Sequence, residues 1–148
     1  SPSASAPPPP WSADSAPTRT TCSASAAATR TLLVTTDEPT SLTDAYAFLK
    51  LGSTSGTSKH VGVVVNMASS TSEGEKTYRT LLKASENFLR LKPPMTGMIR
   101  LDKKIKESIR AQTPILTRYP NADASEDVES IARQVIEDMA EAKKAMSK

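Results

Sequence analysis

Residues 31–50 read TLLVTTDEPTSLTDAYAFLK, and this stretch decides the fold. Leu32, Leu33 and Val34 form a compact apolar run flanked by the β-favouring Thr31, Thr35 and Thr36, the pattern of a buried strand. Pro39 stops that strand. Leu42, Ala45, Tyr46 and Leu49 then recur at offsets of three, four and seven, which places them on one helical face. Ser41 is the expected N-cap, with Asp44 standing where a weak capping box puts its acid. A strand, a polar turn and an amphipathic helix make half of a βαβ unit.

Residues 1–30 have a different composition. They are almost entirely Ser, Ala, Pro, Thr and Arg, with prolines from Pro7 to Pro10 and Trp11 as the one large side chain. Such a segment buries too little to offset the entropy of ordering it, and a disordered leader is expected. It lacks the continuous apolar stretch of a signal peptide. The remaining residues, 31–148, are expected to form one domain.

Farther along, residues 52–59 (GSTSGTSK) suggest a surface connection. The run 61–66, VGVVVN, is continuously apolar up to Asn66, as in a parallel strand covered by helices on both faces. A turn is expected over 69–74. A helix is expected over 75–91, with Tyr78, Leu81, Leu82, Ser85, Phe88 and Leu89 at helical spacing. Pro93 and Pro94 end it. A short strand over 95–99 precedes a helix opened by Asp102, with Leu101, Ile105 and Ile109 on one face. Residues 114–117 are read as extended, and a last helix runs over about 125–145. Its acids Glu126, Asp127 and Glu129 come first and Lys143 and Lys144 last, as the helix dipole favours. Strands alternating with helices predict an α/β fold, a parallel sheet of about three strands with flanking helices.

Composition narrows the chemistry. Cys22 is the one cysteine and His60 the one histidine, so no Cys/His or multi-His metal site can be assembled. His60 reads as a surface residue ahead of a strand, with no nucleophile turn to accompany it. No run reaches the roughly 18–20 apolar residues of a membrane span. The end of the chain, MAEAKKAMSK, offers no Phe, Trp or Leu for membrane insertion.

Four segments taken together, 35–46 (TTDEPTSLTDAY), 63–66 (VVVN), 97–102 (GMIRLD) and 109–114 (IRAQTP), resemble the C-terminal half of the MinD/ParA-type P-loop ATPases. Within that group the first segment is most similar to the bacterial flagellar-number and flagellar-placement regulators. The resemblance implies a partial P-loop fold, with ATP and Mg²⁺ as the family's ligands and a cytoplasmic regulator as its setting. It assigns Asn66, at a strand's carboxyl end, to adenine recognition, for which an amide offers both a donor and an acceptor. It places Asp102 along the base, with Arg100 where the family segment has Pro, and puts Glu38, Pro39 and Thr40 near the nucleotide and subunit face. From the residues alone, Asn66 reads first as a turn-starting Asn after a strand, and Asp102 equally as a plain helix cap. Asp37 after an apolar run looks like a Walker B acid, but the following Glu-Pro-Thr-Ser matches the family's later strand.

The phosphate-binding part of that machinery has no counterpart in the sequence. None of the five glycines, Gly52, Gly56, Gly62, Gly74 and Gly97, precedes a lysine, so there is no Gly-Lys-Ser/Thr loop. Catalytic residues are therefore not assigned, and weak or absent nucleotide binding is expected. The leader resembles an out-of-frame reading of GC-rich coding sequence, which leads to the expectation of a truncated or frame-shifted family member. The strand over 31–36 would then present an unpaired apolar edge, with poor solubility or self-association of the isolated chain as the consequence.

A second class of function rests on charge. Seven basic residues, Arg90, Lys92, Arg100, Lys103, Lys104, Lys106 and Arg110, face only Asp102 and Glu107 over 90–110. A nucleic-acid patch needs only such clustering, and Arg100, Lys103, Lys104, Lys106 and Arg110 are its candidates. A solvated helix face explains the same residues more simply. The partners implied are a second copy in a homodimer, a complete family ATPase, flagellar assembly regulators or, less well supported, DNA.

Overall fold

The computed structural model describes residues 27–56 and 60–147. Three strands form one sheet in the order β1 (Thr31–Thr35), β2 (Val61–Ala68), β3 (Met95–Arg100), and all are parallel. The helices between and after them are α1 (Pro39–Ser55), α2 (Thr71–Ala84), α3 (Lys103–Arg110), α4 (Ile115–Arg118) and α5 (Asp123–Met146). The α/β architecture read from the alternating pattern is the one observed. The leader call falls largely on residues 1–26, and with Trp11 and Cys22 it lies outside the described residues.

The core fills one face of the sheet. Val61 and Val63 of β2 pack with Ala45, Phe48 and Leu49 of α1 and Leu81 of α2, and Leu33, Leu42, Tyr46, Tyr78, Leu89 and Leu91 close around them. Each buried Val or Leu contributes about 1.5–3 kcal/mol. The opposite face carries α5. A Cβ at Gly97 would overlap Ile131 of α5, so glycine is what lets that helix approach β3.

Several boundaries differ from the sequence reading. Helix α1 starts at Pro39, two residues before Ser41, because a fixed φ and a missing N–H suit the first helical turn. Ser41 therefore sits inside the helix. Its hydroxyl reaches back to accept the Thr36 N–H at 2.9 Å and meets the buried Thr35 hydroxyl at 3.1 Å. Asp44 is exposed and caps nothing. Gly52 belongs to α1 rather than to the connection, and the helix ends at Gly56, whose φ of 74° is the left-handed cap glycine favours.

Helix α2 begins at Thr71, with the Ser70 hydroxyl accepting the Glu73 N–H at 3.1 Å, so Gly74 lies in a helix and not in a turn. A Cβ at Gly74 would overlap the Met98 sulfur. Past Ala84 the chain forms a π turn over Ser85–Leu89, which shifts the helical phase and leaves Phe88 76% exposed, contrary to its place on the apolar face. Residues 114–117 are not extended either: Pro114 leads into the short helix α4. Ile109 and Leu101, assigned to an apolar helix face, are exposed.

Candidate functional site

The carboxyl ends of the parallel strands lie at one end of the sheet, where open α/β folds bind ligands. Each strand delivers one group of the sequence-predicted residues there.

At the end of β2, the pairing with β3 shifts register between Val65 and Ala68, and Met67 takes a φ of 57°. A left-handed conformation costs a side-chain-bearing residue about 1–2 kcal/mol. The Asn66 side chain offsets part of that cost, since its Oδ1 accepts the Met67 N–H at 2.9 Å. Asn66 is half-buried, and its amide nitrogen has no partner among the described residues. The bulge thus fixes the amide's orientation while leaving its donor available.

At the end of β3, Asp102 is the N-cap of α3, its Oδ1 accepting the Lys104 N–H at 2.9 Å. Its Oδ2 accepts the Ala124 N–H at 3.2 Å. Helix α5 follows Ala122, which has no capping side chain, so Asp102 supplies the cap from another element. The Lys104 and Ala124 N–H groups together hold the Asp102 carboxyl below its ordinary value.

Around this double cap lies a cleft of about 530 Å³ lined by Asp102, Lys104, Arg118, Tyr119, Asn121 and Asp123, among others. The Lys104 ammonium stands 4.6 Å from the Tyr119 ring centre and the Arg118 guanidinium 5.4 Å from it. The Tyr119 hydroxyl donates to Glu107 at 2.8 Å, and Lys104 pairs with the same carboxylate at 3.3 Å. The Tyr119 hydroxyl first, and Lys104 second, hold the Glu107 carboxyl below its usual range.

Arg100 is bound into the sheet–helix junction. Its Nε and Nη2 contact the two oxygens of Asp127 at 2.9 and 3.1 Å, and its main-chain N–H donates to Asp127 Oδ2 at 2.9 Å. Asp123 and Glu126 lie at 3.7 and 3.8 Å. Asp127 chiefly raises the Arg100 pKa, so this cation stays charged. Lys103, Lys106 and Arg110 are exposed and form no ion pair among the described residues. Glu38, Pro39 and Thr40 are exposed at the start of α1, with the Glu38 N–H bound to the Thr36 hydroxyl at 3.3 Å.

Asp102 and Lys104 thus share one cleft, and Asn66, Arg100 and residues 38–40 stand at the same end of the sheet without lining it. Sequence reading missed Arg118, Tyr119 and Asp127. The aromatic–proline pair at 119–120 just before a helix was the one available signal for the cleft. Two separate features suit a planar base, the oriented amide at Asn66 and the aromatic, cation-flanked cleft at Tyr119, whose lining does not include Asn66. The given sequence contains no Gly-Lys-Ser/Thr loop.

Comparison with known proteins gives the same frame. The chain is 34% identical over 109 residues to the antiactivator FleN of Pseudomonas aeruginosa, a match covering 74% of this chain and 39% of that protein. It is 30% identical over 102 residues to the flagellum site-determining protein YlxH of Helicobacter pylori, covering 68% of this chain and 34% of that protein. The chain therefore spans less than two fifths of the length of these relatives. Its fold matches the MinD cell division protein of Aquifex aeolicus with a TM-score of 0.56 at 21% identity, over 74% of this chain and 44% of that one. A chain of the MinC:MinD cell division protein complex of Aquifex aeolicus gives 0.52 at 22% identity, over 74% of this chain and 43% of that one. No family model matches the chain.

Proposed function

Since the chain belongs to the family of FleN and YlxH, flagellar regulators of the MinD/ParA type to which it is homologous over 74% and 68% of its length, we propose that it supplies the base-binding side of such a regulator's nucleotide site. ATP with Mg²⁺ is the family's ligand. Here Asn66 directs its amide to the adenine edge and Asp102 holds the wall along the base. Arg100, paired with Asp127, braces that wall rather than touching nucleotide. Glu38, Pro39 and Thr40 sit toward a partner subunit, whether a second copy or a complete ATPase. The chain alone does not hydrolyse ATP, for want of groups that hold phosphate. The setting is the cytoplasm, with flagellar assembly regulators as partners. Among the described residues no helix is long and apolar enough to cross a membrane.

The observation that carries this reading is the bulge at Asn66 and Met67, a strained turn that orients one amide at the carboxyl end of the central strand. Saturation-transfer NMR with ATP tests it. Adenine protons should receive transfer, and the signal should vanish in Asn66→Ala. An adenine signal that is absent from the wild-type chain, or unchanged in the variant, overturns it.

Charge alone keeps DNA as a second reading. Arg100 is held by acids and Lys104 by Glu107, which leaves Lys103, Lys106 and Arg110 to carry it.

A further inference from the structure

Helices α3 and α4 enclose a second pocket, of about 430 Å³, that shares no lining residue with the Tyr119 cleft. The turn that makes it follows Arg110, where the Gln112 N–H donates to the Ile109 carbonyl at 3.0 Å and the Thr113 N–H to the Ser108 carbonyl at 3.1 Å. Gln112 takes a left-handed φ of 51° there, which swings the chain back so that Pro114 and Ile115 stand across from Ile105 and Ile109. Four apolar side chains thus wall the pocket.

Its floor holds a polar atom with nothing to bind. Ser108 is 4% exposed, and its hydroxyl has no hydrogen-bond partner among the described residues. A serine or threonine in a helix commonly returns its hydroxyl to a carbonyl one turn back, as Thr77 and Ser85 do at 3.0 and 2.9 Å. Ser108 does not, so the desolvation of its hydroxyl is uncompensated in the free chain. Because buried polar groups are almost always satisfied, the missing partner belongs to whatever fills the pocket. Ile109, part of the wall, is 70% exposed, which makes the pocket an open recess. Such a recess suits a side chain carried on a larger surface, whereas a free small ligand is ordinarily buried over most of its area.

Charge selects the rest of the occupant. At about 100° per residue, Lys106 and Arg110 follow Ile105 and Ile109 around α3, on the side away from Ser108. Neither pairs with an acid among the described residues, and Glu107, the one acid of the helix, is engaged by Tyr119 and Lys104. Two uncompensated cations therefore border the apolar recess. We propose that the α3–α4 pocket docks an acidic segment of a partner protein, which inserts a tyrosine whose ring packs on Ile105, Ile109 and Ile115 and whose hydroxyl binds Ser108, while neighbouring acids meet Lys106 and Arg110. Tyrosine joins an apolar body to a polar tip, the combination that these walls and this floor require. Nucleic acid would meet the cations but leave the isoleucines and the Ser108 hydroxyl unused.

The inference is independent of base binding, and its test contains no nucleotide. Amide NMR of the full, isotope-labelled chain is followed during titration with the end-capped peptide Glu-Asp-Tyr-Asp-Glu. Saturable shifts are expected at the amides of residues 105–115, and the peptide with Phe in place of Tyr should bind about threefold more weakly. Ser108→Ala removes an unpartnered hydroxyl, keeps the fold and should erase the difference between the two peptides. Lys106→Glu combined with Arg110→Glu, both at exposed positions, should weaken the Tyr peptide about tenfold. The proposal is overturned by the absence of saturable shifts, by equal binding of the two peptides to the wild-type chain, by a tyrosine preference that survives Ser108→Ala, or by indifference to the charge reversal. A short DNA duplex that shifts these amides where the peptide does not would overturn it in favour of nucleic acid.

Discussion

The Asp102 carboxylate accepts the N–H of Ala124, 22 residues away in sequence, at 3.2 Å, while capping its own helix through Lys104 at 2.9 Å. One side chain therefore closes the open ends of α3 and α5 and fixes the wall of the cleft between them.

Asp102→Ala removes both caps, and a loss of about 1–2 kcal/mol is expected in urea unfolding at neutral pH. Asp102→Asn should lose less, since an amide oxygen still accepts. The pH dependence separates charge from capping. The folded-state carboxyl titrates below its ordinary value of 3.8, so its contribution is present above about pH 4 and is lost as pH falls through the folded value. The wild-type chain should lose stability more steeply than Asp102→Asn below about pH 4, and parallel profiles would contradict the double cap.

Arg100 and Asp127 join β3 to α5 through three hydrogen bonds. Asp127→Ala leaves the Arg100 main-chain N–H and guanidinium without their acceptor, at a cost of about 1–3 kcal/mol. Arg100→Lys should recover little of the effect of Arg100→Ala, because an ammonium cannot reproduce the two-pronged contact. Thermal unfolding of the three variants checks both statements, and full recovery by lysine would contradict the pairing.

At Gly74 the limit is space. Gly74→Ala drives a methyl into Met98 and should cost about 1–3 kcal/mol despite the better helix propensity of alanine. Adding Met98→Ala should recover part of that loss relative to Met98→Ala alone. Denaturant midpoints of the four proteins read the coupling, and strict additivity would show that the two side chains do not meet.

The DNA reading reduces to Lys103, Lys106 and Arg110. If these residues only solvate a helix face, a gel shift at low salt shows no binding, and replacing all three by Glu changes nothing. Binding that disappears in the triple variant would restore nucleic acid as a partner.

The strands were legible because β2 is apolar up to Asn66 and β1 sits between threonines, and because alternation with helices forces parallel pairing. Asp102 was legible as a helix cap from its place ahead of a helix, whereas a base-binding role for Asn66 and Asp102 is what the resemblance implies. What stayed hidden depends on events that local spacing does not encode. Phe88 has helical spacing, yet a π turn rotates it outward. Ser41 looks like a cap, but Pro39 nucleates the helix two residues earlier and turns the serine back onto Thr36. Arg100 counted as a free cation until α5 brought Asp127 across 27 residues of sequence. The cleft at Tyr119 was invisible for the same reason, since its walls come from both sides of the α4 turn.

The central claim is that this chain holds a base and not its phosphates. Calorimetric titration of the full chain with adenosine, ADP and ATP in the presence of Mg²⁺ tests it most directly. The account predicts weak binding of all three, within about threefold of one another, because the sequence given holds no Gly-Lys-Ser/Thr loop to reward added phosphate. Micromolar affinity for ATP, with adenosine bound far more weakly, would contradict it.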